Sequence, residues 1–171
     1  MRKGEQTRQQ ILHKVAVLFN EKGYTTTSMQ DITAVTGVQR GGIYNHFASK
    51  EDLALETFDY SCALLAKRLM QRTQLQPTSI TKLKAIASGF AEVYINSSVF
   101  PCGCPVLNTA VEAKRQMLSL RKKAQTAMNQ LKALIQETIT QGIENSEFSA
   151  TSRQFEFYHT FLIFMVMSMI S

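Results

Sequence analysis

TTTSMQDITAVTGVQRGGIYNHFASKEDL, residues 25–53, reads as two short helices on either side of one glycine. Ser28 has the side chain of an N-cap, and Asp31, three residues on, can reach back as a capping-box acid. Ile32 and Val35 are expected to give the first short helix its buried face. Gly37 stands where a tight turn between helices wants a positive φ, with Val38 returning to the core. A second short helix is expected from about Gln39 to His46, with Ile43 and Phe47 one turn apart on its inner face. Helix, short glycine turn, helix is the helix-turn-helix arrangement, whose second helix enters the major groove of DNA.

The match to one family is specific. Thr27-Ser28-Met29-x-Asp31-Ile32, Gly37-Val38, Gly41-x-Ile43-Tyr44-x-His46-Phe47 and Ser49-Lys50-Glu51-x-Leu53 resemble the DNA-binding signature of the tetracycline-repressor (TetR) family. The resemblance runs from about Thr7 to Leu53. It implies an all-α fold: an N-terminal three-helix helix-turn-helix head, residues 1–48, and a helical ligand-binding and dimerisation body, residues 49–171. The implied function is a DNA-binding transcriptional regulator, not an enzyme, released from a palindromic operator by a small-molecule inducer. It further implies a cytoplasmic homodimer joined through its last helices, with no cofactor.

Charge agrees with that placement. The chain of 171 residues carries a net charge of +6, and residues 1–50 hold seven Lys or Arg against three acids. Positive charge thus gathers where phosphate would be met. Three cysteines make no disulfide framework, and no metal-ligand spacing is visible. The N-terminus lacks an apolar signal segment, and the apolar run Phe161 to Ile170 is too short to cross a bilayer, so no membrane partner is expected.

Working outward from the motif, Ile11, Val15, Leu18 and Phe19 recur at helical spacing before Gly23, which closes that first helix. Leu55, Phe58, Cys62, Leu65 and Leu69 mark a long helix after Ser49. Further helices are expected from Thr78 or Ser79, from Pro105 at an N1 position, on to about Gly142, and from near Thr151 to the terminus, about eight in all.

Within the head, Arg40 is the candidate for direct base reading, because a guanidinium can bind guanine O6 and N7 together, with Gln39 beside it. Tyr44 can give its hydroxyl to phosphate while its ring meets a thymine methyl, or it can be a half-buried packing aromatic. Gly41 and Gly42 are poor helix formers whose value would be close approach of backbone to DNA. Many TetR-like proteins have a hydrogen-bonding side chain where Gly42 stands. His46 and Lys50 match family positions that contact phosphate, and Asn45 lies beside His46 on the same short helix. Thr27, Ser28 and Gln30 are phosphate contacts or caps, and Arg2 with Lys3 forms either a DNA-reaching arm or a solvated tail.

In the body, Phe90, Tyr94, Met117, Met128, Phe157, Phe161 and Met165 are candidates to line a small-molecule pocket, or are plain core. Cys102-Gly103-Cys104-Pro105-x-x-Asn108 resembles a segment found in one group of TetR-like proteins. Cys104 at a helix start would have a lowered thiol pKa, with Cys102 able to resolve a sulfenic acid, so a redox-sensing regulator is an alternative. Asn108 and Glu112 could contact a polar ligand or cap the break. Two other classes stand beside these: a hydrolase using Cys104, His159 and Asn108, and an oligomerisation module whose head no longer binds DNA.

Overall fold

The structure is a computed structural model that describes residues 3–95, 100–113 and 117–148. These residues form seven α-helices: α1 (Lys3–Lys22), α2 (Met29–Thr36), α3 (Arg40–Tyr44), α4 (Lys50–Thr73), α5 (Ser79–Ile95), α6 (Pro105–Glu112) and α7 (Leu118–Glu144). The eighth helix expected from Thr151 lies outside the described residues, as do Arg2, His159, Phe157, Phe161, Met165 and the side chain of Tyr94.

Local chemistry sets the boundaries of the first three helices. α1 stops at Gly23, whose φ of 85° is open to glycine without a Cβ clash. Ser28 caps α2 through a complete capping box: its Oγ accepts from the Asp31 N–H at 3.1 Å, and its own N–H donates to Asp31 Oδ2 at 2.7 Å. Gly37 ends α2 in the left-handed conformation, donating to Thr33 O at 2.9 Å. α3 is short, five residues, with Asn45 as its C-cap rather than an interior residue.

Ile11, Val15, Phe19, Ile32, Ile43, Phe47 and Leu53 meet in the core beneath these helices, all essentially buried. Full burial of a side chain such as Phe47 is worth roughly 2–3 kcal/mol. The inner face of α2 differs from the sequence expectation: Ile32 and Thr36 are buried, while Val35 is 39% exposed. Four residues separate Ile32 from Thr36, one helical turn, so Thr36 takes the inner position and its hydroxyl is satisfied by Ile32 O at 2.7 Å.

α4 runs from this head into the rest of the molecule. Arg8 of α1 pairs with Glu56 of α4, and His13 Nδ1 lies 3.2 Å from the Tyr60 hydroxyl. Lower down, α4 packs on α5, α6 and α7 around Leu65, Ile86, Phe90, Leu120, Ala124 and Ile135. Lys123 of α7 reaches Asp59 of α4 at 2.6 Å. Among the described residues no helix is long and apolar enough to cross a membrane.

Candidate nucleic-acid interface and cavity

α3 and the residues flanking it form the exposed edge of the head. Gln39, Arg40, Gly41, Tyr44 and Asn45 are exposed, and His46 and Lys50 are half-buried. The Arg40 guanidinium carbon sits 5.6 Å from the centroid of the Tyr44 ring, a cation–π stack that holds both groups outward. Lys50 is the first residue of α4, just after Ser49, whose Oγ accepts from the Asp52 N–H at 2.9 Å. Gln30 lies exposed on α2, and Ser28 is exposed while capping it.

The basic residues of the head divide into two kinds. Arg8 pairs with Glu56, Lys22 with Asp31 at 2.7 Å, and Lys14 donates to Thr36 O at 3.3 Å. Lys3, Arg40 and Lys50, the last just beyond the head, have no ion-pair partner among the described residues, and Arg40 and Lys50 lie at the edge formed by α3. The Lys22 ammonium, with the Ser28 hydroxyl and N–H, holds the Asp31 carboxyl well below the usual carboxylate range.

Two sequence assignments in the head change on this geometry. Thr27 is buried, and its hydroxyl donates to Gly23 O at 2.5 Å, so it pins the α1–α2 loop and is not available to phosphate. Gly42 turns inward: a Cβ there would stand 2.9 Å from Val38 Cγ1, whereas one at Gly41 would meet nothing within 4 Å. The glycine at position 42 therefore serves helix packing, and Gly41 is the one whose backbone is open outward.

In the body, α4, α5, α6 and α7 line a partly open apolar cavity of about 290 Å³. Of the candidate pocket residues Phe90 and Met128 lie on its wall, and Cys104 lies there too. Met117 does not: it precedes α7 and packs against the core. Asn108 does not either, because its side-chain amide donates to Cys102 O at 2.9 Å. Most of the wall was missed, notably Leu69, Leu107, Ala127 and Leu131. The α4 stripe through Cys62, Leu65 and Leu69 was visible in the sequence, but as packing rather than as a cavity wall. Gln130 and Lys132 supply polar groups at its margin.

The thiol expectation is overturned. Cys104 is the N-cap residue of α6 with no side-chain cap hydrogen bond; the nearby N–H groups of Leu107 and Val106 favour its thiolate, but it is 2% exposed and burial pushes its pKa up. Desolvation outweighs the helix start. Cys62, facing the same cavity, is pushed up to about 12 by burial and by the nearby Asp59 carboxylate. Burial thus raises both thiols, opposite to the lowering that the redox reading needs at Cys104, and the redox alternative is not favoured.

The segment around these cysteines is instead tied to the head. Asn20 of α1 donates to Gly103 O at 3.2 Å and accepts from the Cys102 N–H at 3.1 Å. Glu112, the last residue of α6, accepts from the Tyr24 N–H at 3.0 Å, the Thr25 N–H at 2.8 Å and the Thr25 hydroxyl at 2.7 Å. Tyr24 stacks on Phe19 with centroids 4.5 Å apart, and its hydroxyl meets that of Thr109 at 3.4 Å. Burial drives the Tyr24 phenol well above its ordinary pKa.

Comparison with known proteins agrees at both ends of the chain. The family described as bacterial regulatory proteins, tetR family, matches residues 11–57, and the tetracyclin repressor-like C-terminal domain matches residues 79–170. A TetR transcriptional regulator from Chloroflexus aurantiacus J-10-FL superposes with a TM-score of 0.89 at 30% identity, covering 99% of this chain and 87% of that one. A TetR-family regulator from Cytophaga hutchinsonii gives 0.84 at 32% identity, covering 96% and 82%. The repressor DhaR of Mycobacterium sp. (strain GP1) is 30% identical over 105 residues, 61% of this chain and 51% of its own length, so the match spans about half of that relative. With the helix-turn-helix, the all-helical body and both family matches in agreement, the chain belongs to the tetR family of bacterial regulatory proteins.

Proposed function

We propose that this chain is a transcriptional repressor that binds a palindromic operator as a homodimer and is released when a small apolar effector enters the cavity between α4 and α7. The observation that carries the reading is the division of the head's cations. Three are spent on internal contacts, and Arg40 and Lys50 have no ion-pair partner among the described residues and flank the exposed face of α3. In this reading Arg40, Gln39, Tyr44 and Asn45 meet base edges or the adjoining backbone. Gly41 allows close approach, and Ser28, Gln30, His46 and Lys50 meet phosphate.

Residues 1–48 act as the reading head and residues 49–171 as the sensing and pairing body, with dimer contacts assigned to the apolar C-terminal stretch. A DNA-bound regulator of this kind works in the cytoplasm. Repression, as in the name of the relative DhaR, is taken as the output. An effector must fit the non-binding conformation better than the binding one, whatever its affinity. The apolar wall of the cavity favours a compact hydrophobic molecule with few polar groups.

The test is selection of duplexes from a random pool, followed by fluorescence anisotropy at about 50 and 200 mM salt. The expected result is an inverted-repeat consensus with a steep salt dependence, whose slope falls by about 1 per binding head in Lys50→Ala. Recovery of no consensus, with equal weak binding to every duplex, would overturn the reading.

A further inference from the structure

Glu112 stands where helix electrostatics disfavours it. A carboxylate on the last residue of a helix faces the negative end of the helix dipole. Nothing within α6 compensates. The compensation comes from across the molecule, in the two backbone N–H groups and one hydroxyl of Tyr24 and Thr25, 88 and 87 residues earlier in the chain. The approach is close enough that a Cβ on Gly23 would lie 2.9 Å from Glu112 Oε1. The loop these groups occupy leads directly into the Ser28 cap of α2.

The other end of the same helix faces the cavity. Cys104, Val106 and Leu107 form part of its wall. α6 has only eight residues, with Pro105 fixing its first turn, so its two ends move together as one short rigid body. Its N-terminal approach is fastened as well, by Asn20 to the backbone of Cys102 and Gly103, and by Asn108 to Cys102 O. Material that displaces the wall at Val106 or Leu107 therefore shifts the Glu112 carboxylate against the loop that carries α2.

We propose that Glu112 is a positioning residue that latches the α1–α2 loop to α6, and that filling the cavity opens this latch and so frees the head from its DNA-binding orientation. This rests on the repressor reading for its biological output, but the latch has a readout of its own. The polar groups that hold it are α1–α2 backbone amides, whose hydrogen exchange reports opening directly. α4 also joins head to body, and a rival route along α4 alone would bypass Glu112.

The experiment uses the full chain and a side chain as the cavity-filling probe. Ala127 lines the cavity and is half-buried, so Ala127→Phe places a ring inside it, and Met128→Phe serves as a second filling variant should the first fold poorly. Exchange of the Tyr24 and Thr25 amides is measured by NMR, and operator affinity by anisotropy, in wild type, in each filling variant, in Glu112→Ala and in the double variants. Glu112→Ala is expected to speed exchange at these two amides at least tenfold while Val15 and Phe19 stay protected. Glu112→Gln, which keeps one acceptor oxygen, is expected to fall between.

A filling variant should speed the same two amides at least tenfold and weaken operator binding about tenfold. In the Glu112→Ala background the filling change should alter affinity by less than twofold, since the route is already cut. Unchanged exchange in both filling variants, or the same loss of affinity with and without Glu112, would overturn the latch. If no operator can be selected at all, the repressor reading fails while the exchange measurements still decide whether the latch answers to the cavity.

Discussion

The Arg40 guanidinium and the Tyr44 ring, one helical turn apart, stack at 5.6 Å in the free protein. Both are thereby held in extended, outward conformations before any DNA arrives, which reduces the ordering cost of binding. Arg40→Ala is expected to weaken binding to the selected operator by about 1–3 kcal/mol, ten- to hundredfold, and to relax the preference at one base position. Competition anisotropy with singly substituted operators checks this. A uniform loss across all sequences would instead make Arg40 a phosphate contact.

Asp31 joins Lys22 at the end of α1 to Ser28 at the start of α2. Its carboxyl has a lower pKa folded than unfolded, first through Lys22 and then through Ser28. The stability it contributes is therefore complete above the unfolded value of about 4 and is lost as pH falls from there through the folded value. Thermal melts of wild type and Asp31→Asn should differ at pH 7 and begin to converge only below about pH 4. Ser28→Ala, which removes the cap itself, should cost about 1 kcal/mol at pH 7.

Of the three thiols, Cys102 alone is exposed, whereas Cys62 and Cys104 are withdrawn and burial raises the pKa of both. One thiol per chain should react quickly with a disulfide reagent at pH 8 and two only after unfolding, and Cys102→Ser should abolish the fast phase. Because the buried thiols have higher pKa values folded than unfolded, their contribution is intact below about 8.5 and declines as pH rises. For Cys62 the decline extends toward about 12. Denaturant midpoints should fall above pH 9, and less steeply in Cys62→Ala.

At the far end of the body, Gly142 has no room for a side chain. A Cβ would run into the Phe148 ring and come within 2.9 Å of Ser79 Cβ. The same turn is closed by the N–H groups of Glu147 and Phe148 donating to Gly142 O, at 2.7 and 3.2 Å. Gly142→Ala is expected to destabilise the protein by roughly 1–3 kcal/mol, read as a shift in urea midpoint. Phe148→Ala in the same background should return part of that loss by clearing the clash.

The parts of this fold that could be read in advance are those whose causes lie within a few residues. The Ser28–Asp31 box, the Gly37 turn and the Ile43/Phe47 face each follow from neighbours in sequence, and each is present. Where partners are distant, the pattern misled. Val35 and Thr36 compete for one inner position, and only the angle of α2 on the core decides between them. Gly42 looked like an opening toward DNA because Val38, the side chain that fills its space, lies across a turn. The Cys104 thiol follows its burial by helices far away in sequence rather than the helix it caps. Asn108 and Glu112 stood out as a one-turn pair, yet nothing local could indicate that Glu112 was destined for Tyr24 and Thr25.

The Asn20 side chain both gives and receives a hydrogen bond with the 102–103 backbone, from a position inside the first helix. The head–body boundary expected near residue 48 is consequently not the border across which parts can be exchanged. A chimera made by joining the first 48 residues to another regulator's body would carry an amide at Asn20 and two N–H groups at Tyr24 and Thr25 shaped for acceptors it no longer has. Unmet groups of that kind cost about 1–3 kcal/mol each when they stay buried. The transplantable unit of this chain is the first three helices together with residues 100–112, and moving its head onto another body has to move the two as a pair.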